Sequence, residues 1–229
     1  MNASIIERMK GGLIVSCQAK EESPLRGSSF MAAMARCAEI GGAVGIRANG
    51  PDDIKAIRAA VSLPIIGIYK IYSPDYQAYI TPTLDAAKEI VQAGADIIAV
   101  DATFRSHANG LSAGELIAEI KTLGLPVMAD ISALDDAFPA AEAGADIVAT
   151  TMSGYTSYSR QIAGPDFELI SELAPLIGIP IIAEGKIWTP QEARKALDLG
   201  AHAVVVGTAI TRPEIITKRF ADALYVEPC

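Results

Sequence analysis

Metal ligands and positive charge are what this chain has least of. Its two histidines, His107 and His202, and its three cysteines, Cys17, Cys37 and Cys229, stand far apart in the sequence. That scatter lacks the close spacing of a zinc site. An odd cysteine count suits a reducing compartment, the cytoplasm, rather than a disulfide framework. Lys+Arg number 19 against 27 Asp+Glu, a formal net charge of −8. A nucleic-acid binder needs a basic surface to displace counterions from phosphates, so that class of partner is excluded. No apolar run approaches the ~20 residues of a membrane-spanning helix. Residues 1–8 show no basic segment leading into an apolar stretch, so no secretory signal is expected. Apolar material is plentiful: 51% hydrophobic and 20% charged residues over 229 positions supply a large core and leave little room for disorder. No linker or low-complexity segment interrupts the chain, and a single domain, 1–229, is expected.

The fold is written in an internal repeat. Ala93-Gly94-Ala95-Asp96-Ile97-Ile98-Ala99-Val100 returns as Ala143-Gly144-Ala145-Asp146-Ile147-Val148-Ala149-Thr150, and more loosely as Leu199-Gly200-Ala201-His202-Ala203-Val204-Val205-Val206. Gly41-Gly42-Ala43-Val44-Gly45-Ile46 is a shorter relative. In each, a helical pattern ends at a glycine, as a left-handed helix C′ position requires, and a buried strand follows. A second family interleaves with the first. Leu63-Pro64-Ile65-Ile66-Gly67-Ile68, Leu125-Pro126-Val127-Met128-Ala129-Asp130 and Ile179-Pro180-Ile181-Ile182-Ala183-Glu184 place proline where a strand begins and its missing N–H is tolerated.

With Gly12-Leu13-Ile14-Val15-Ser16-Cys17 these runs predict strands near 12, 43, 65, 97, 126, 147, 181 and 203. They are almost continuously apolar, as expected where helices cover one face and a barrel core fills the other. Helical patterns occupy 52–60, 84–93, 113–123, 135–143, 167–173 and 191–199. Thr189-Pro190-Gln191-Glu192 marks one helix start sharply, with an N-cap, proline at the first position and glutamate at N3. Eight βα units in this length predict an α/β fold, a (β/α)8 TIM barrel, whose usual size is ~250 residues. An open doubly wound sheet is the alternative. It loses because no Gly-x-Gly-x-x-Gly follows the first strand and the pairwise repeat favours a closed ring.

Active sites of such barrels lie at the C-terminal strand ends, here Gln18, Arg47, Lys70, Asp101, Asp130, Thr151, Glu184 and Gly207. Side chains alternate faces along a strand. Asp130 and Glu184 each stand an even number of residues past their strand's proline, as does Lys70, one layer higher. Ile66, Met128 and Ile182 share that parity and are expected to line the interior. Three ionisable groups on alternate strands, with Arg47 beside them, exceed what one structural ion pair explains. After strands seven and eight, Glu184-Gly185-Lys186-Ile187 and Gly207-Thr208-Ala209-Ile210-Thr211-Arg212-Pro213 put glycines where backbone N–H groups can approach an anion. Arg212 adds a planar fork suited to phosphate.

Other residues carry less. His107, in a polar loop, is expected to be solvated, and His202, at the Asp96/Asp146 position of the repeat, to be structural. Cys17 is expected to pack rather than react. The loop holding Tyr155 and Tyr158 and the stretch 71–81 are lid candidates.

The sequence resembles a known family through Ser16-Cys17-Gln18-Ala19, Gly42-Ala43-Val44-Gly45-Ile46-Arg47-Ala48, Tyr79-Ile80-Thr81-Pro82-Thr83, Ala129-Asp130-Ile131-Ser132, Thr150-Thr151-Met152-Ser153-Gly154-Tyr155-Thr156, Ala183-Glu184-Gly185 and Val206-Gly207-Thr208-Ala209-Ile210-Thr211-Arg212-Pro213. These look like the N-acylglucosamine-6-phosphate 2-epimerases, the bacterial N-acetylmannosamine-6-phosphate 2-epimerases of sialic acid (N-acetylneuraminate) breakdown. The likeness runs from about 12 to 220, departing at Ile71, where a more polar residue is expected.

The resemblance implies interconversion of N-acetylmannosamine 6-phosphate and N-acetylglucosamine 6-phosphate with no nucleotide or metal cofactor. It implies Lys70 and Glu184 as the catalytic proton-transfer pair, Gln18, Arg47 and Asp130 holding the sugar, and Gly185, Gly207 and Arg212 at the phosphate. Proton transfer at C2 needs a base, an acid and a donor to the developing enediolate. A lysine in an apolar mouth beside Arg47 falls toward about 7–8, the range useful for a base. Two rivals remain at this stage, a Schiff-base lyase using Lys70 as nucleophile and a silent sugar-phosphate-binding barrel. A homodimer is expected from oligomer statistics alone.

Overall fold

The structure, a computed structural model, describes residues 4–225, so Cys229 lies outside the described residues. Eight parallel strands close into a barrel in sequence order. They are Leu13–Cys17 (β1), Gly45–Asn49 (β2), Ile65–Ile68 (β3), Ile97–Asp101 (β4), Val127–Asp130 (β5), Ile147–Ala149 (β6), Ile181–Glu184 (β7) and Ala203–Val206 (β8). Around them run Ser28–Ile40 (α1), Pro51–Ala60 (α2), Leu84–Gln92 (α3), Ala113–Lys121 (α4), Leu134–Glu142 (α5), Phe167–Leu173 (α6) and Pro190–Asp198 (α7). After β8 come a single helical turn, Thr208–Thr211 (α8), and Pro213–Leu224 (α9). The α7 start carries the predicted capping box between Thr189 and Glu192. Each strand begins within two residues of its predicted place.

The repeat has a local physical cause at the bottom of the barrel. Gly94, Gly144 and Gly200 follow α3, α5 and α7 with φ of 105°, 101° and 107°, a conformation only glycine adopts without strain. The next residues place Asp96 and Asp146 to accept the first N–H of a neighbouring strand, from Ile65 at 2.9 Å and Val127 at 2.7 Å. Their carboxylates also meet Arg58 and Lys121. His202, at the equivalent place, contacts the Ile6 carbonyl at 3.0 Å and is structural, as expected.

Two apolar layers follow from strand alternation. Ile66, Met128 and Ile182 join Ile14, Ile97, Ile147 and Val205 inside the barrel, with Met9 among them. Outward residues such as Ile46, Ile98 and Val148 pack against the helices. Cys17 lies in that outer layer, fully buried, and burial pushes its thiol up to about 12, so it packs and does not react.

The regular ladder fails in one place that matters for the site. β3 and β4 pair only at Ile66–Ile97 and Gly67–Ile98. Above that point the segment 79–81 enters between them. Lys70 and Ile80 form an antiparallel bridge, and on the other side Asp101 N–H donates to the Ile80 carbonyl at 3.0 Å.

Candidate active site

The barrel mouth holds a cluster of four charged side chains. Arg47 rises from β2, Asp130 and Glu184 end β5 and β7, and Lys70 stands two residues beyond β3. Arg47 and Asp130 are fully enclosed, at 1% and 0% exposure. The Arg47 guanidinium donates to both Asp130 oxygens, to Glu184 Oε2 and to Thr151 Oγ1, the last at 3.1 Å. Thr151 in turn donates to Asp130 Oδ1 at 2.5 Å. Thr151 is a strand-end residue that the resemblance left without a role. Its hydroxyl locks the Arg47–Asp130 pair in one orientation.

Electrostatics bind Lys70 to the same cluster. Its pKa is lowered to about 8, by burial first and then by the charge of Arg47, against the upward pull of Glu184 and Asp130. All four groups therefore share one field at one end of the barrel. Asp130 is raised to about 6, by burial first and by the repulsion of Glu184, against the pull of Arg47. Burial alone would lower the pKa of Arg47, but the two carboxylates outweigh it and keep the guanidinium charged.

The phosphate candidates sit on neighbouring loops. Gly185 has φ of 114°, and the following Lys186 is also left-handed at 58°. A Cβ at Gly207 would lie 3.2 Å from Ser16 Cβ, so the β8 end approaches β1 as closely as glycine allows. Ser16 Oγ accepts from Gln18 Nε2 at 2.8 Å, which places Gln18 over the same wall. Arg212 stands at the α8–α9 junction, where its Nε donates to Glu214 at 2.9 Å.

One loop expectation needs correction and one strand-end residue refinement. His107 is buried, not solvated: its Nε2 contacts the Thr103 carbonyl at 3.0 Å. The surrounding residues are polar, but the loop folds back on itself. Asp101 faces the mouth yet is engaged by the Thr103 hydroxyl at 2.6 Å and by Arg105, so it orders that loop. The lid candidates are both tied down. Tyr158 bonds Asp136 and Phe104, Ser153 bonds Asp166, and Tyr72 stacks on Tyr79 at 4.9 Å. A cleft of about 410 Å³ opens between them, lined by Tyr72, Tyr79, Arg105 and Tyr155.

Among the described residues no group of three or more His, Cys, Asp or Glu is placed to hold a metal ion, and no helix is long and apolar enough to cross a membrane. Fold and site together define a (β/α)8 barrel enzyme with a cation–carboxylate cluster in its mouth and glycine loops after β7 and β8. Comparison with known proteins narrows the class. The family described as "Putative N-acetylmannosamine-6-phosphate epimerase" (NanE) matches over residues 31–226. A relative from Caldanaerobacter subterraneus subsp. tengcongensis, named "Putative N-acetylmannosamine-6-phosphate 2-epimerase", is 53% identical over 96% of this chain and 94% of its own. One of the same name from Clostridioides difficile is 48% identical over 97% of this chain and 100% of its own.

The solved structure of the N-acetylmannosamine-6-phosphate 2-epimerase from Clostridium perfringens superposes with a TM-score of 0.95, at 47% identity and 98% coverage of both chains. Thiamine phosphate pyrophosphorylase from Pyrococcus furiosus shares the barrel alone, with a TM-score of 0.61 and 18% identity over 97% of this chain and 100% of its own. The chain belongs to the N-acetylmannosamine-6-phosphate epimerase family.

Proposed function

We propose that this enzyme interconverts N-acetylmannosamine 6-phosphate and N-acetylglucosamine 6-phosphate, with Lys70 and Glu184 handling the C2 proton from opposite faces. The observation that carries this reading is the lysine held near 8 in the same mouth as Glu184, with Arg47 between the carboxylates. Epimerisation removes the proton α to the C1 carbonyl of the open-chain sugar and returns one to the other face.

With N-acetylmannosamine 6-phosphate, the neutral Lys70 amine takes the C2 proton. Charge develops on the C1 oxygen, where the Arg47 guanidinium steadies it. Glu184 delivers a proton to the opposite face and assists ring opening. The reverse direction exchanges the two roles. Gln18 and Asp130 hold the sugar hydroxyls, and Gly185, Gly207 and Arg212 take the phosphate. Binding that remote group holds C2 between base and acid. Base and acid both come from the chain's own side chains.

The reaction is a step of sialic acid breakdown in the cytoplasm, and the whole chain, 1–229, acts as one domain. We place it in a homodimer: α9 buries none of its residues and leaves Phe220 and Leu224 exposed, a face a second copy would cover. Sedimentation velocity reads that mass directly.

Proton NMR of N-acetylmannosamine 6-phosphate with the protein in deuterated water tests the activity. The expected result is growth of N-acetylglucosamine 6-phosphate with deuterium at C2. Unchanged substrate with its C2 proton intact would overturn the reading, and a borohydride-trapped adduct on Lys70 would favour a lyase.

A further inference from the structure

Lys70 stands beyond the end of β3, so strand pairing does not aim it. Its surroundings do. The β2–β3 ladder closes with Gly50 N–H donating to the Ile68 carbonyl at 2.8 Å. Past that bond the main chain of β2 turns into α2 and offers no further partner. The side chain of Asn49 takes over: its Oδ1 accepts the backbone N–H of Lys70 at 2.8 Å. Asn49 is the last residue of β2 and shares the inward parity of Arg47.

The opposite flank of Lys70 is held as firmly. Ile71 N–H donates to the Tyr79 carbonyl at 3.0 Å, and Thr81 N–H to the Tyr69 carbonyl at 2.9 Å. These bonds bracket Lys70 and Ile80, making them a non-hydrogen-bonded antiparallel pair. In such a pair the backbone N–H points away from the partner strand. The Lys70 amide is thereby turned toward β2, where Asn49 meets it.

Thr81 fastens the wedge to both neighbours. Its hydroxyl accepts from Tyr69 N–H at 3.1 Å and donates to the Ala99 carbonyl of β4 at 2.6 Å. It is fully buried with φ of 47°, left-handed backbone that a β-branched residue adopts only under constraint. Strain of this kind persists where the surrounding structure over-determines it and concentrates at functional sites.

We propose that Asn49 and Thr81 are positioning residues for Lys70, a two-sided clamp that aims its amine across the mouth toward the substrate carbon. The clamp is an asymmetric feature of the ring: β5 and β7 carry their carboxylates within the strand, whereas β3 must extend through borrowed partners to bring a longer side chain over the same point. A misplacement of about 1 Å at a reacting group costs about a hundredfold in rate, so a side-chain acceptor far from the chemistry has leverage on turnover. This inference rests on Lys70 being the base.

The test compares Asn49→Ala, Asn49→Asp and Lys70→Ala on the full-length protein, with circular dichroism as a folding control. Asn49→Ala should lower kcat about ten- to a hundredfold with KM within a few fold, leaving the pH at which kcat rises unchanged. Asn49→Asp keeps the acceptor and adds a negative charge beside Lys70. It should recover most of kcat and move the rise to higher pH. Thr81→Val, which keeps the shape but loses both hydroxyl bonds, should lose kcat, while Thr81→Ser should retain it.

An inactive Lys70→Ala together with Asn49→Ala and Thr81→Val turning over within twofold of the parent would overturn the clamp and leave the base assignment standing. Equal losses in Asn49→Ala and Asn49→Asp with an unmoved pH profile would also overturn it. A fully active Lys70→Ala would remove the base assignment itself, and the clamp with it.

Discussion

The Arg47 guanidinium lies fork to fork against the Asp130 carboxylate, one nitrogen reaching Oδ1 at 3.1 Å and the other Oδ2. Neither side chain is more than 1% exposed. Removing one member of such a pair leaves a buried charge uncompensated, at about 3–5 kcal/mol. Arg47→Met strands both Asp130 and Glu184 and should lose that much in urea unfolding at pH 7. Asp130→Asn should cost less, because Arg47 keeps Glu184 and Thr151. The Arg47→Met loss should shrink as pH falls toward about 6, because without the guanidinium that holds it down Asp130 takes up its proton at higher pH than in the parent. A larger loss for Asp130→Asn than for Arg47→Met would show that the guanidinium, not the carboxylates, is the group in need of a partner.

Lys70 should make the fold less stable than it need be. Its native pKa of about 8 lies below the ordinary 10.5, because burial and Arg47 disfavour the charge. At pH 7 the amine is charged in both folded and unfolded chains, and the folded one bears the cost. From about 8 to above 10 the unfolded chain binds more protons, so this group's penalty disappears as pH rises. Lys70→Met should therefore be inactive yet more stable than the parent at pH 7, by about 2–3 kcal/mol. The gap should narrow by pH 10, read from paired urea curves. A Lys70→Met variant less stable at pH 7 would mean that packing around the stem outweighs the charge.

The same pKa sets the rate profile. A base must be unprotonated, so kcat/KM for N-acetylmannosamine 6-phosphate should climb with pH and level off past about 8. Coupled measurement of product between pH 6 and 9 checks this. A flat profile across that span would contradict a titrating lysine in the free enzyme.

Legibility in the sequence follows the range of the interaction involved. The eight strands could be read because their causes are local: Pro64, Pro126 and Pro180 stand one residue before β3, β5 and β7, and glycine and aspartate of the repeat punctuate the turns beneath. Asp130 and Glu184 were legible through alternation within their own strands. Lys70 was placed at the correct end by the same counting, although β3 ends at Ile68 and its aim comes from a wedge. That wedge is an antiparallel contact inside a parallel barrel, and nothing periodic in residues 69–81 announces it. Asn49 carries no such signal, because an asparagine at a strand's end has the composition of a turn. The burial of His107 has no sequence signal, because a polar loop that folds on itself is indistinguishable, in composition, from one that faces water.

The close approach of Gly207 to Ser16 allows the phosphate assignment to be separated from the chemistry. Gly207 has φ of −110° and ψ of −89°, outside the left-handed region but also outside the regular helix and strand regions, so substitution acts through backbone and space together. A Cβ there meets Ser16 Cβ at 3.2 Å, and Ser16 must give by a few tenths of an ångström, taking with it the Oγ that holds Gln18. Gly207→Ala should raise KM for N-acetylmannosamine 6-phosphate about tenfold while kcat stays within a few fold, since the displaced wall binds a remote group in ground and transition states alike. Unphosphorylated N-acetylmannosamine feels only the shift passed to Gln18, so its low kcat/KM should fall by less than that of the phosphorylated sugar. If Gly207→Ala weakens both substrates equally, the β8 loop acts on the sugar rather than on the phosphate, and the anion site must be sought around Gly185 and Lys186 instead.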